Sequence, residues 1–225
     1  DGSGLDTDLD TVIEIGGKGG DDEGTGANKA SIDYFDLILS SIVNNDNCAY
    51  LHLSNFAWTA TTSFAIQPIA FSKNLSKLQL DFVMELPKHI HLLVDAMGRN
   101  KSITCLITSR CGLEDDHLGA LLSKLPPRLE ELRIFGNKCR AKGLAALTDH
   151  LQDRKKCRLK ILDMSFQHVQ PDEEFDITWF SYALGGNKTL KTLDLDNDSL
   201  EDSHLTHIVT ALCRNKTLEE IMLNH

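Results

Sequence analysis

Apolar and polar residues alternate along much of this chain in a pattern that returns at a nearly fixed interval. Leu129, Leu132, Ile134, Asn137 and Cys139 are spaced as L-x-x-L-x-L-x-x-N-x-L, and Leu190, Leu193, Leu195, Asp198 and Leu200 follow the same template. Ile103 to Leu113 fits with Cys111 in the Asn place, and Leu159 to Val169 fits with Gln167 there. Weaker copies begin at Cys48 and Leu75, and a last one at Leu218. The intervals between the seven starts are 27, 28, 26, 30, 31 and 28 residues. Alternation over five or six positions predicts a strand with one buried face. Between the strands, apolar residues fall three and four apart, as in Leu144, Leu147 and Leu151 or Leu205, Ile208, Val209 and Leu212, which predicts amphipathic helices.

Each unit therefore reads as strand, turn and helix. Several helices end in a shared tail, seen in Gly98-Arg99-Asn100-Lys101-Ser102, Gly185-Gly186-Asn187-Lys188-Thr189 and Arg214-Asn215-Lys216-Thr217. Gly and Asn accept the left-handed backbone that stops a helix, so the tail is expected to act in that way. Upstream, Asp10 to Ile15 reads as one more strand and Ile32 to Val43 as a helix, with a Gly- and Asp-rich loop over Gly16 to Asn28. Residues 1–47 are thus expected to form an acidic N-terminal segment with a capping or irregular helix. Residues 48–225 form the repeats, about six to seven units. Phe56 and the stretch from Val83 to Glu85 fit the template poorly, so the first two units are expected to be irregular. The chain stops just after the strand motif at Leu223, and a repeat array needs a polar cap, so a continuation or a capping partner is expected.

Residues 48–225 resemble the ribonuclease-inhibitor-like class of leucine-rich repeats. That resemblance implies an α/β fold, a leucine-rich-repeat solenoid (horseshoe) with parallel strands on the concave face and helices on the convex face. It also implies that the Asn137-type side chain bonds backbone groups between units.

Strand alternation then names the exposed stripe. Between the second and third core positions lie His52, Gln79, Ile107, Arg133, Asp163, Asp194 and Met222. Two places on are Ser54, Asp81, Ser109, Phe135, Ser165, Asp196 and Asn224, with Phe82, Arg110 and Phe166 just beyond. Arginine and aromatic side chains supply most of the energy of protein recognition, with charged neighbours steering. Arg110, Arg133, Phe135 and Phe166 are the expected anchors, and Asp163, Asp194 and Asp196 complete the protein-binding set. The competing account has Phe135 and Phe166 packing beneath the strand-to-helix turn.

Charge narrows the partner. The chain carries a formal net charge of −10, and residues 1–28 hold eight acids against Lys18, leaving only −3 on the remainder. Arg154-Lys155-Lys156 is the one basic run, so nucleic acid is not an expected ligand and a protein with a basic surface is. No apolar run approaches the roughly 20 residues that span a bilayer. The opening Asp1-Gly2-Ser3-Gly4 has no features of a signal peptide. Six cysteines without a Cys-x-x-Cys pair fall largely at buried repeat positions, which predicts reduced thiols and a cytoplasmic or other reducing interior.

Chemistry finds little support. Asp194, Asp196 and Asp198 alternate as in a calcium loop, but Ser199 and Leu205 occupy the places that need Gly and Glu. His89 with His91, and His204 with His207, lack a third metal ligand. Lys18 in Gly16-Gly17-Lys18-Gly19-Gly20 is followed by Gly rather than Ser or Thr, unlike a phosphate-binding loop. No nucleophile motif occurs, so neither catalysis nor a cofactor is expected. Of five N-x-S/T sequons, Asn74, Asn100, Asn187 and Asn215 fall in the helix-to-strand turn and Asn197 does not; the repeat explains the four better than glycosylation does. The leading expectation is a non-catalytic interaction scaffold within a larger protein or assembly. The alternatives are an activating protein for a small GTPase and the ligand-sensing repeats of an innate-immune-type receptor, both resting on fold analogy.

Overall fold

A computed structural model describes residues 11–16, 41, 48–55, 57–58, 66–167, 177–196 and 200–224. Most of the expected helix over 32–43, the Gly- and Asp-rich loop beyond Gly16, Phe56, Asn197 and Asp198 lie outside the described residues. The elements alternate. Strands β1 (Thr11–Gly16) and β2 (Cys48–Ser54) are followed by a 3-10 helix (Gln67–Phe71), β3 (Lys77–Asp81) and α1 (Leu86–Arg99). Then come β4 (Cys105–Ser109), α2 (Asp115–Ser123), β5 (Glu131–Arg133), α3 (Ala141–Gln152), β6 (Ile161–Asp163), α4 (Thr178–Gly186), β7 (Thr192–Asp194), α5 (Asp202–Arg214) and β8 (Glu220–Met222).

The eight strands form one sheet in sequence order, and every neighbouring pair is parallel. Such pairing needs a crossover on each step, which helices supply on the steps from β2 to β8. Register follows the motif. Leu51, Leu78, Leu106, Leu132, Leu162, Leu193 and Ile221 align as one column across the sheet. His52, Gln79, Ile107, Arg133, Asp163, Asp194 and Met222 form the adjacent column. The leucines of the first column are fully buried, in one continuous apolar core with Leu93, Leu121, Leu147, Leu184 and Ile208 from the helices. Each such side chain contributes about 1.5–3 kcal/mol by leaving water. Successive helices from α1 to α5 pack on their neighbours, so each unit's helix covers its own strand and touches the next. Thr108 occupies a third core position, and its fully buried hydroxyl has no hydrogen-bond partner.

The early units are irregular, as their sequence predicts. Pro68 sits in a five-residue 3-10 helix, and α1 is preceded by Glu85 at its N-cap, whose backbone is left-handed (φ 64°). Two later helices, α2 and α5, start conventionally. Glu114 and Glu201 cap α2 and α5, with His117 and His204 reaching back to their backbone N–H groups in capping boxes. His204 thus serves a helix end.

The shared tail corrects one expectation. Asn100, Asn187 and Asn215 do not adopt the left-handed backbone; all three are extended, with φ near −69°. They act instead through buried side chains. The Asn187 carboxamide oxygen accepts N–H bonds from Thr189 (2.9 Å) and Leu190 (2.8 Å), while its Nδ2 donates to the Leu151 carbonyl of the preceding unit (3.0 Å). Asn100 and Asn215 repeat this arrangement onto Ile69 and Leu184. These three sequon asparagines are committed to the interior.

Candidate functional site: the C-terminal edge of the sheet

At the other end of the strands the chain must leave the sheet and reverse into a helix. The first part of that turn is built by the ninth motif position. Asn137 Oδ1 accepts from the N–H groups of Cys111 and Leu113 (3.1 Å each), and its Nδ2 donates to the carbonyls of Thr108 (2.6 Å) and Ile134 (2.7 Å). Gln167 does the same work one unit on, accepting from Cys139 N–H and donating to Ile134. Cys111, being shorter, directs its thiol to the carbonyls of Leu80 and Ser109.

The residue just before this position is left-handed in five successive units: Asn55 (φ 54°), Phe82 (52°), Arg110 (52°), Gly136 (66°) and Phe166 (55°). Only glycine takes that conformation without steric cost, so Phe82, Arg110 and Phe166 each hold strain of about 1 kcal/mol or more. Each of the five N–H groups donates to a carbonyl in the next unit, on Asp81, Ser109, Phe135, Ser165 and Asp196 in turn, at 2.8–3.0 Å. The backbone bonds fix the conformation, and the conformation lifts the side chain away from the core. Phe82 is 46% exposed and Phe166 is 42% exposed.

Those side chains meet across units. The Arg110 guanidinium lies 5.1 Å from the Phe82 ring centroid and 4.4 Å from that of Phe135. Phe135 in turn meets Phe166 edge to face, with centroids 5.3 Å apart. Gly136 makes this possible, since a Cβ there would stand 2.7 Å from Arg110 Cγ. The result is a continuous row, Phe82, Arg110, Phe135 and Phe166, along the edge of the sheet. Cation–π contacts of this kind stabilise by roughly 0.5–1 kcal/mol at exposed sites. Phe166 is therefore exposed rather than packed beneath the turn, whereas Phe135 is half-buried between Arg110 and Phe166.

Beside the row, the sheet face away from the helices forms a groove of about 420 Å³ lined by His52, Gln79, Ile107, Arg133 and Asp163. Its polar groups are largely bonded to one another. His52 Nε2 and Gln79 Nε2 both meet Asp81 Oδ2, at 2.8 and 2.6 Å. Arg133 Nε donates to Glu131 (2.5 Å) and Nη1 reaches Asp163 (3.5 Å). Burial works against the Arg133 charge, but Glu131 and Asp163 outweigh it and hold the guanidinium more firmly protonated than usual. Asp163 is mostly buried and also accepts bonds from Ser165 N–H and hydroxyl.

The structure therefore gathers Arg110, Phe135 and Phe166 into one row and Arg133 with Asp163 into the groove floor. Asp194 and Asp196 stand further along, on and after β7. Asp194 accepts the Asp196 N–H (2.9 Å), and Asp196 accepts both N–H groups offered by Asn224 (2.7 and 3.0 Å). Burial, together with the nearby Asp163 and Asp196 charges, raises the Asp194 carboxyl above the ordinary aspartate value. Phe82 belongs to the row although sequence reading placed it only next to the exposed stripe. Its role depends on a left-handed backbone that no glycine announces. Among the described residues, no group of three His, Cys, Asp or Glu side chains is placed to share a metal ion.

No family model matches the chain, and no curated protein matches it. Among solved structures, it is similar to actin-binding site 2 of leiomodin-1, over 71% of this chain and 77% of that one, at 12% identity and a TM-score of 0.41.

Proposed function

We propose that this chain is a leucine-rich-repeat solenoid of the ribonuclease-inhibitor-like class that binds another protein through the C-terminal edge and open face of its sheet, without catalysing a reaction. Neighbouring strands are spaced about 4.8 Å apart and packed helices about 8–10 Å apart. A single layer of strands backed on one side by one helix per strand must therefore curve, with the strands inside, and the horseshoe follows from that mismatch.

The observation that carries the binding role is the Phe82–Arg110–Phe135–Phe166 row, in which the exposed Phe82, Arg110 and Phe166 are held in left-handed backbone and the half-buried Phe135 joins them. Aromatic and arginine side chains are the residues that anchor protein interfaces, and a backbone strained to display them has no benefit to folding. Asp81 and Asp163 line the groove beside the row, and with Asp194 and Asp196 further along they favour a partner with basic groups. All six cysteines are thiols, five of them buried, and burial pushes Cys105 and Cys111 up to about 12. Such thiols are inert at neutral pH and suit a reducing interior, where the chain serves as a component of a larger assembly. Among the described residues, no helix is long and apolar enough to cross a membrane.

The test compares the intact chain with an Arg110→Ala/Phe135→Ala/Phe166→Ala variant as bait in extracts, with thermal melts confirming that both fold. A protein retained by the intact chain alone supports the reading. Identical captures by both baits would sink it.

A further inference from the structure

The opposite edge of the sheet, where helices end and strands begin, carries a second feature that the row of aromatic turns does not explain. Two adjoining depressions of about 420 Å³ each share Arg154, Cys157, Lys188 and Thr189. Together they are lined by seven cationic side chains and a single carboxylate, Glu130, in a chain whose net charge is −10. Two of the cations are neutralised: Lys160 pairs with Glu130 (2.8 Å) and Lys191 with Glu219 (2.6 Å). Arg154, Lys155, Arg158 and Lys188 make no ion pair with any described residue.

The repeat brings these residues together. Lys160 N–H donates to Glu130, Lys191 N–H to Lys160, and Glu219 N–H to Lys191, at 2.7–2.8 Å, which stacks successive units at strand spacing. The loop after α3 is fixed from within. Asp153 accepts the N–H groups of Lys155 and Lys156 (3.0 and 3.2 Å), and Cys157 N–H donates to the Asp153 carbonyl (2.8 Å). A cation near a helix C-terminus complements the helix dipole, and that effect accounts for about one such residue per helix end. It does not account for Arg154, Lys155 and Arg158 together, beside the paired Lys156 and Lys160. One wall is apolar and aromatic: Tyr182 lies beside Ala183 and Leu151, with the Arg214 guanidinium 5.1 Å from its ring centroid.

We propose that this double depression binds a compact ligand bearing several phosphate groups, either a soluble phosphorylated polyol or the same chemistry presented as a lipid headgroup. Arginine forks and lysine point charges converging on a small concavity match clustered phosphate oxygens better than isolated carboxylates. The Tyr182 wall suits the carbon ring that would carry them.

Titration calorimetry with inorganic tripolyphosphate tests the site directly, with an equal ionic strength of sodium sulfate as competitor. The intact chain is expected to bind, and Arg154→Glu/Lys188→Glu to lose about a hundredfold in affinity. Both side chains are exposed, so the variant is expected to melt as the parent does. A control that moves the net charge equally, Lys88→Glu/Lys142→Glu, lies elsewhere on the surface and is expected to bind normally. Equal loss in the control, full displacement by sulfate, or no binding by the parent to tripolyphosphate or to the vesicles would overturn the proposal. Flotation with phosphatidylcholine vesicles, with and without phosphatidylinositol bisphosphate, then separates the two sources. Capture dependent on that lipid assigns the headgroup, and tripolyphosphate binding without vesicle capture assigns the soluble ligand.

Discussion

The two edges of the sheet solve the same problem by opposite means. Where helices run into strands, Asn100, Asn187 and Asn215 make nearly identical bonds from relaxed, extended backbone, and their side chains are buried. Where strands run into helices, the turn residue is left-handed in five successive units, yet its identity changes from Asn to Phe, Arg, Gly and Phe. A turn selected for stability alone would repeat asparagine or glycine at both edges. The second edge instead accepts strain so that particular side chains are displayed, and display is a functional requirement.

That contrast yields an ordered set of expectations. The largest effect belongs to the relaxed edge. Asn187→Ala strands the Thr189 and Leu190 N–H groups and the Leu151 carbonyl, and is expected to destabilise by about 3 kcal/mol in urea titration. A loss under a few tenths would mean that the asparagine is dispensable. Next comes Gly136→Ala, which combines a left-handed Cβ with a contact at 2.7 Å to Arg110. It is expected to cost about 1–2 kcal/mol and to weaken partner binding by displacing the guanidinium. Phe82→Gly should act in the reverse sense: relief of backbone strain exceeds the lost contact with Arg110, for a gain of about 0.5 kcal/mol, while partner affinity falls. Destabilisation by Phe82→Gly would show that the turn is not strained.

The smallest effect concerns pH. Because the folded Asp194 carboxyl titrates above its unfolded value, the native state holds the proton more tightly. Its contribution to stability is therefore greatest in acid and declines as pH rises from the ordinary aspartate range through the raised value. Asp194→Asn should lack that decline, so the difference between the two stability profiles, measured by urea titration across the acid range, should fall as pH rises. Parallel profiles would show that burial and the neighbouring carboxylates do not raise it.

Much of the fold was legible because the strand period is unforgiving. One slip would send Leu78, Leu106 and Leu132 to the open face, so their spacing fixes both the buried column and the one beside it. The helix-to-strand tail was legible in place but misread in mechanism. Asn in this position suggests a left-handed stop, whereas the third dimension offers it the carbonyl of a neighbouring unit. Arg110, Phe135 and Phe166 could be picked out by residue type, but their contact could not. Phe135 sits one motif place earlier than Phe82 and Phe166, and only Gly136 lets Arg110 cross to it. The basic depression was legible only as the run Arg154-Lys155-Lys156, for a related reason. Its residues run from Arg154 to Arg214, and the repeat stacks in space what a reading along the chain keeps apart.

The file of N–H to carbonyl bonds from Asn55 to Phe166 has a consequence for how such a surface can change. It continues the strand ladder past the last strand residues, so the displayed side chains stand at a pitch set by the sheet, about 4.8 Å per unit. Helices of different length can be accommodated behind without altering that pitch, as the intervals from 26 to 31 residues already demonstrate. The edge behaves as a ruler with exchangeable marks: a partner could be re-specified by exchanging a single turn residue, with spacing inherited from the backbone and only chemistry left to choose.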